Sequence, residues 1–335
     1  MTMEPKTFQA LVVTETASGE YRREIKARNL QDLPEGEVLV RVRYSSLNYK
    51  DVLSATGNKG VTKKYPHTPG IDAAGVVEES SHPDFQPGHE VIVTSYDLGM
   101  NTSGGFGQYI RVPAAWVVMR PQSLTLRESM IYGTAGFTAA LSVYRLLGAG
   151  IKLGQGKILV SGATGGVGSI AVAILAREGY QVAAVSGRAE TYDYLKGLGA
   201  QEILDTAAVT DTSGRPLLNA RWAGAIDTVG GPLLATTIKS LQYGGVATCC
   251  GNVASPDLPL TVYPFILRGV TLIGIDSQNC PMANRIQVWD KIASPWKLPH
   301  LEKLTTEITL EGLDDQIELI LKRRHQGRTI VKLPD

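Results

Sequence analysis

Three glycines spaced three residues apart, Gly162, Gly165 and Gly168, separate a β-branched apolar run from a smooth apolar helix pattern in KILVSGATGGVGSIAVAIL at 157–175. That arrangement suits a dinucleotide pyrophosphate. Glycine permits a tight turn, close approach of the backbone to phosphate oxygens, and close packing of the next helix on its strand. A helix starting near Gly166 then offers unpaired amides and a partial positive charge to an anion. Glycine triplets also occur in loops that bind nothing, and here the strand before and the helix after favour binding. The next strand candidate, 181–185, ends in Ser186, Gly187 and Arg188, with no carboxylate for a ribose 2′-hydroxyl. A hydroxyl and a guanidinium suit a 2′-phosphate, since charge-assisted hydrogen bonds contribute about 1.5–3 kcal/mol each. The pattern points to NADPH over NADH, the alternative being that Arg188 is an ordinary surface arginine.

These residues need elements to hold them. A chain of 335 residues accommodates two domains, and 43% hydrophobic with 19% charged residues is an ordinary soluble composition. The formal net charge of +1 gives no general attraction to nucleic acid or an anionic membrane. Cys249, Cys250 and Cys280 form neither a ligand spacing nor a disulfide framework and fit a reducing compartment. No basic segment followed by an apolar core opens the sequence, and no apolar run reaches membrane length, so a cytoplasmic protein is expected.

Short strand candidates at 9–13, 37–44, 73–78, 90–94, 106–112 and 116–119, divided by Gly, Pro and Asn clusters, predict a small barrel-like domain. From about Leu126 strands alternate with helices. Strands near Ile158, Val182, Glu202, Ala225, Val246 and Leu272 give the layout of a doubly wound parallel sheet. Past Pro299 the β character returns, with a strand at 305–310, a helix at 313–324 and a last strand at 329–333. The predicted architecture is α/β: a Rossmann sheet at 126–299 inserted into a discontinuous β domain at 1–125 plus 300–335. Segment 270–275 would form an edge strand, and pairing it across a two-fold predicts a homodimer.

SSLNYKD at 45–51, PGIDAAG at 69–75, GGFGQYIRV at 104–112, GTAGFTAALSV at 133–143, VSGR, AIDTVGG, the PFILRG segment and the terminal GRTIVKL resemble a medium-chain dehydrogenase/reductase. More narrowly they resemble the YhdH/YhfP quinone oxidoreductase group, which includes NADPH-dependent acryloyl-CoA reductases. The resemblance implies a GroES-like β-barrel domain carrying the inserted Rossmann domain. It also places Thr164, Gly165, Gly166 and Val167 on the pyrophosphate, and Thr134 near the phosphates or nicotinamide or simply at a helix N-cap. Asn252, Ile266 and Ser277 would flank the nicotinamide half, although Ile266 has a core reading too, and Arg328 would reach the cofactor.

Zinc members of the superfamily place a cysteine in the region of 48–51 and a histidine and glutamate at the positions of Ile71 and Asp72. Here the first region lacks cysteine, Ile71 cannot ligate, and no cysteine precedes Cys249, so no metal is expected. Without a Lewis acid for alkoxide formation, reduction of a polarised C=C bond is the favoured chemistry. The protein must then supply orientation and donors for a developing enolate. The resemblance places Asn48, Tyr49 and Asp51 near the nicotinamide. Tyr49 is expected to contact nicotinamide and ribose, to donate toward substrate, or to be a packed aromatic. Asn48 is a candidate donor to the substrate carbonyl, whereas Asp51 and Asp72 also fit capping and loop-amide roles. The expected function is NADPH-dependent reduction of acryloyl-CoA or another enoyl-CoA. Quinone or enone reduction is the enzymatic alternative, and a nucleotide-binding protein with little turnover is the third. Arg285 and Trp289 are read as lining either the substrate site or an oligomer contact.

Overall fold

The computed structural model describes residues 6–334. In chain order the elements begin with β1 (Thr7–Glu15), β2 (Tyr21–Asn29), β3 (Val38–Leu47), α1 (Tyr49–Ala55), β4 (Asp72–Ser80), β5 (Glu90–Thr94), β6 (Tyr109–Val112) and β7 (Val117–Met119). They continue with α2 (Leu126–Gly148), β8 (Lys157–Val160), α3 (Gly166–Arg177), β9 (Val182–Val185), α4 (Tyr192–Gly197), β10 (Glu202–Leu204), β11 (Trp222–Asp227) and α5 (Gly231–Lys239). The last are β12 (Leu241–Cys249), α6 (Tyr263–Arg268), β13 (Thr271–Gly274), α7 (Met282–Ala293), β14 (Thr305–Ile308), α8 (Leu313–Leu321) and β15 (Arg328–Lys332). Two compact units result: Met1–Thr134 with Gln278–Ala293 and His300–Asp335, and Ala135–Ser277 with Ser294–Pro299.

In the first unit a sheet runs β14-β15-β3-β4-β5-β7, with β6 also pairing with β3, beside the separate β1–β2 hairpin. Val38, Leu39, Val40 and Val42 bury the first half of β3 at the sheet's centre. Register then sets the chemistry. Thr329 of β15 lies opposite Leu47, so Arg328 falls beside Asn48, and the β3–β4 and β4–β5 pairings bring Asp72 to the same end of the sheet. The sequence reading omits β2 altogether. Its apolar signal is only Tyr21, Ile25 and Ala27 among charged residues, because much of the strand faces solvent.

The second unit is a six-stranded sheet in the order β10-β9-β8-β11-β12-β13, parallel throughout. Counted within the sheet this is 3-2-1-4-5-6, the doubly wound order that places ligands at the carboxyl ends of the strands where the order reverses. All six strands fall where the apolar runs predict them. β13 is an edge strand, as the 270–275 reading requires. Helix α7, within the segment read as part of the Rossmann domain, instead joins the first unit. Arg285 and Trp289 on it are fully buried, so neither lines a surface. Arg285 donates to Thr94 O and Oγ1 and to Gln278 O, and its guanidinium stacks 4.4 Å from the Tyr96 ring.

Candidate active site

The first unit holds a buried acid cage. Asn48 N-caps α1, and the Asp51 carboxylate accepts from the Asn48 amide at 2.8 Å and from the Gly70 and Ile71 amides at 3.1 and 2.8 Å. Asp51 thus caps the helix and holds the 70–71 turn at once. Its burial, reinforced by the nearby Asp72 charge and opposed by those three amides, pushes its carboxyl up to about 7. Asp72 accepts from Ser46 Oγ at 2.5 Å, Asn48 Nδ2 at 2.8 Å, Thr134 N at 2.8 Å and Thr134 Oγ1 at 2.5 Å. The carboxylate therefore serves as a remote cap for the helical turn that restarts at Thr134, after the break in α2 at Gly133. Gly133 is obligatory there. Its φ is +49°, and a Cβ would lie 2.5 Å from both Asp72 Oδ2 and Ser46 Oγ.

Arg328 closes the cage. It donates to Ile131 O at 2.8 Å, Leu47 O and Asn48 Oδ1 at 3.3 Å, and Ser46 Oγ at 2.9 Å. Ser46 and Asn48 are therefore bridges between guanidinium and Asp72. Burial lowers the Arg328 pKa, and the Asp72 and Asp51 charges raise it. Two sequence expectations need correction. Arg328 is only 2% exposed and donates to four acceptors, so its guanidinium holds Asn48 and Ser46 in place instead of standing open to a ligand. Asn48 donates through Nδ2 to Asp72 and Ser46 O and accepts at Oδ1, so its amide has no proton to give a substrate. Thr134 is likewise engaged, giving its hydroxyl proton to Asp72 with Ser95 Oγ 2.8 Å away. Tyr49 behaves differently. At 45% exposure on the first turn of α1, its ring is not a packed core aromatic.

A zinc ion does not fit this donor set. Ile71 has no ligand atom, the Asp51 and Asp72 oxygens all accept from amides and hydroxyls, and the buried His67 directs Nε2 at Gly99 O at 2.9 Å. Among the described residues no group of three His, Cys, Asp or Glu side chains is arranged to hold a metal.

The second unit holds the glycine turn between β8 and α3. Gly162 has φ +57°, and a Cβ there would meet Thr228 Oγ1 at 2.2 Å; one on Gly168 would meet Gly162 O at 2.3 Å. Both are demanded by packing. A Cβ on Gly165 would meet nothing nearer than Gly162 O at 3.4 Å, so packing does not require glycine there, as expected if the open side admits a phosphate. Gly165 also begins α3 without a side-chain cap, leaving that end suited to an anion from Thr164 to Val167. Behind the turn, Ser161 Oγ donates to Asp227 at 2.7 Å, and Asp227 accepts from the Val229 and Gly230 amides. Burial raises the Asp227 pKa against those bonds. No spacing motif announces this brace, although an acid ending an apolar strand is its trace in AIDTVGG.

Past β9, Ser186 is buried and its hydroxyl lies 2.9 Å from Thr191 Oγ1 and accepts from the Arg188 amide. It therefore shapes the Arg188 loop and does not present itself to a phosphate. Gly187 is exposed, and Arg188 is half-buried with Nη2 donating to Thr164 Oγ1 at 2.9 Å. Asn252 is exposed in the loop after β12, Ser277 Oγ accepts from Thr138 at 2.8 Å, and Ile266 is 67% exposed on α6, which removes its core reading.

Comparison with known proteins adds an independent line. Residues 34–122 match the alcohol dehydrogenase GroES-like domain and residues 166–294 the zinc-binding dehydrogenase family. The chain is 46% identical over 325 residues to the acrylyl-CoA reductase AcuI of Ruegeria pomeroyi, covering 97% of this chain and 98% of that protein. It is 46% identical over 327 residues to Bacillus subtilis YhfP, whose name assigns it to the quinone oxidoreductases, covering 97% and 99%. The crystal structure of YhfP with NAD bound superposes with a TM-score of 0.95 over 98% of this chain and 100% of that one. The yhdH oxidoreductase of Salmonella enterica in complex with NADP gives 0.94 at 44% identity, over 97% and 100%.

Proposed function

The chain belongs to the medium-chain dehydrogenase/reductase superfamily, and on that premise we propose that it is a zinc-independent, NADPH-dependent reductase of activated C=C bonds, acting on acryloyl-CoA or a related enoyl-CoA. The observation that carries this reading is the internally hydrogen-bonded acid cage. Where zinc members keep ligands, Asp51, Asp72 and Arg328 satisfy one another's surroundings, so alkoxide formation has no Lewis acid and hydride addition to a polarised double bond is left. NADPH supplies that hydride when bound.

The chain's own residues bind and orient. The turn at Thr164, Gly165, Gly166 and Val167 takes the pyrophosphate on backbone amides, and Arg188 takes the 2′-phosphate. Tyr49, exposed and rigidly mounted because Asp51 caps its helix, contacts the nicotinamide or donates toward the carbonyl oxygen where enolate charge collects. Asn48, Thr134 and Arg328 position that helix. Asn252, Ile266 and Ser277 stay assigned to the nicotinamide side. The division of labour is catalytic residues in 1–125 with 300–335 and cofactor binding in 126–299.

The close relative named as a quinone oxidoreductase keeps quinone or enone reduction as the second reading. Following loss of reduced-nicotinamide absorbance with acryloyl-CoA, a simple quinone and a free enone separates them. Turnover restricted to acryloyl-CoA is expected; faster turnover of the quinone would replace the first reading with the second, and NADPH binding without turnover of any would sink both. We also read the protein as a cytoplasmic homodimer whose partners are small molecules and neither nucleic acid nor membrane. The near-zero net charge supports that, as does the lack, among the described residues, of a helix long and apolar enough to cross a membrane.

A further inference from the structure

The guanidinium of Arg188 is not left to find its place. β8 and β9 are neighbours in the parallel sheet, so the turns at their carboxyl ends lie side by side, and Ala163 N donates to Val185 O across them. Within that pair of turns the Arg188 loop is held at three points. Its amide donates to Ser186 Oγ at 3.2 Å, its carbonyl accepts from Thr191 Oγ1 at 2.6 Å, and its Nη2 donates to Thr164 Oγ1 at 2.9 Å. Thr164 itself belongs to the phosphate turn. Its oxygen accepts from the arginine, so its one hydroxyl proton is left to give an anion.

We propose that Thr164 is a specificity-determining residue: through its hydroxyl it fixes the Arg188 side chain at the phosphate turn, and so sets the preference for the 2′-phosphorylated dinucleotide. The inference rests on the reading of Arg188 as partner of the 2′-phosphate. An arginine side chain loses several rotatable bonds on docking an anion, and a partner that holds it beforehand reduces that loss only for the ligand bearing the anion. NADH, which lacks the 2′-phosphate, gains nothing from the held guanidinium. Thr164 therefore acts on selectivity through Arg188, in addition to any contact with the pyrophosphate common to both ligands.

The test is binding of NADPH and of NADH to the full chain, read by calorimetry or nicotinamide fluorescence, for the Thr164→Val, Thr164→Ser and Arg188→Ala variants and the Thr164→Val/Arg188→Ala double variant. Thr164→Val is expected to weaken NADPH by about 3- to 10-fold more than it weakens NADH. Thr164→Ser, which keeps the hydroxyl, should bind like the wild type, and in the Arg188→Ala background Thr164→Val should have no further effect on selectivity. Equal weakening of both dinucleotides by Thr164→Val makes Thr164 a pyrophosphate contact only and overturns the proposal, as does no change in either. If Arg188→Ala discriminates and Thr164→Val does not, this inference alone fails. If Arg188→Ala weakens both alike, the 2′-phosphate reading fails and takes this one with it.

Discussion

Asp51 has three backbone amides for partners, and burial together with Asp72 holds its carboxyl at about 7. The folded chain therefore keeps a proton that the unfolded chain releases near 3.8. Stability from this group is complete below that value and is lost as pH rises through about 7. At about 1.4 kcal/mol per unit the loss is on the order of a few kcal/mol. Asp51→Asn removes the titration, so urea unfolding at a series of pH values should show the wild type falling relative to the variant between about pH 4 and 7. Parallel curves would refute it. His67, whose pKa burial lowers, titrates with opposite sign but is common to both proteins and cancels. Arg328→Met leaves the Asp72 charge in a buried site without its cation and should cost about 3–5 kcal/mol; a loss under about 1 kcal/mol would show the cage to be incidental. Arg188 and the glycine turn are singled out in the sequence because their type and spacing are themselves the signal. Arg328 and Asn48 are misassigned because an internal hydrogen-bonding role leaves no spacing pattern: the partners come from β3, β4 and the restart of α2, and only the register of β15 on β3 brings them together.

Within α2 two glycines have opposite demands. Gly133 combines positive φ with contact to the acid cage, whereas nothing lies within 4 Å of a Cβ added to Gly148. Gly133→Ala should therefore destabilise by more than about 2 kcal/mol and disturb Thr134 and Asp72 together. Gly148→Ala should be neutral or stabilising by up to about 1 kcal/mol. Melting curves of the two variants check this, and equal effects would remove the argument. At this scale the sequence was most legible where strands are buried on both faces: β8, β9 and β11 are short, buried and mostly apolar runs. It was least legible for β2, whose exposed charged residues carry almost no apolar period.

Among the described residues, β13 has no neighbour strand on one edge of the second unit's sheet, and an unpaired edge is a template for association. Sedimentation is expected to give about twice 36.0 kDa, and a single-chain mass at working concentration would contradict the homodimer. The place of the final strand has a consequence for synthesis. β15 lies between β14 and β3, so some 280 residues separate Arg328 from the Asn48 it holds. The parallel sheet is encoded almost continuously from Ala135 to Ser277 and can assemble on the ribosome as it emerges. Asp51 and Asp72, although made first, lack their cation until Arg328 is synthesised, a window in which a nascent chain is exposed to chaperones and to degradation.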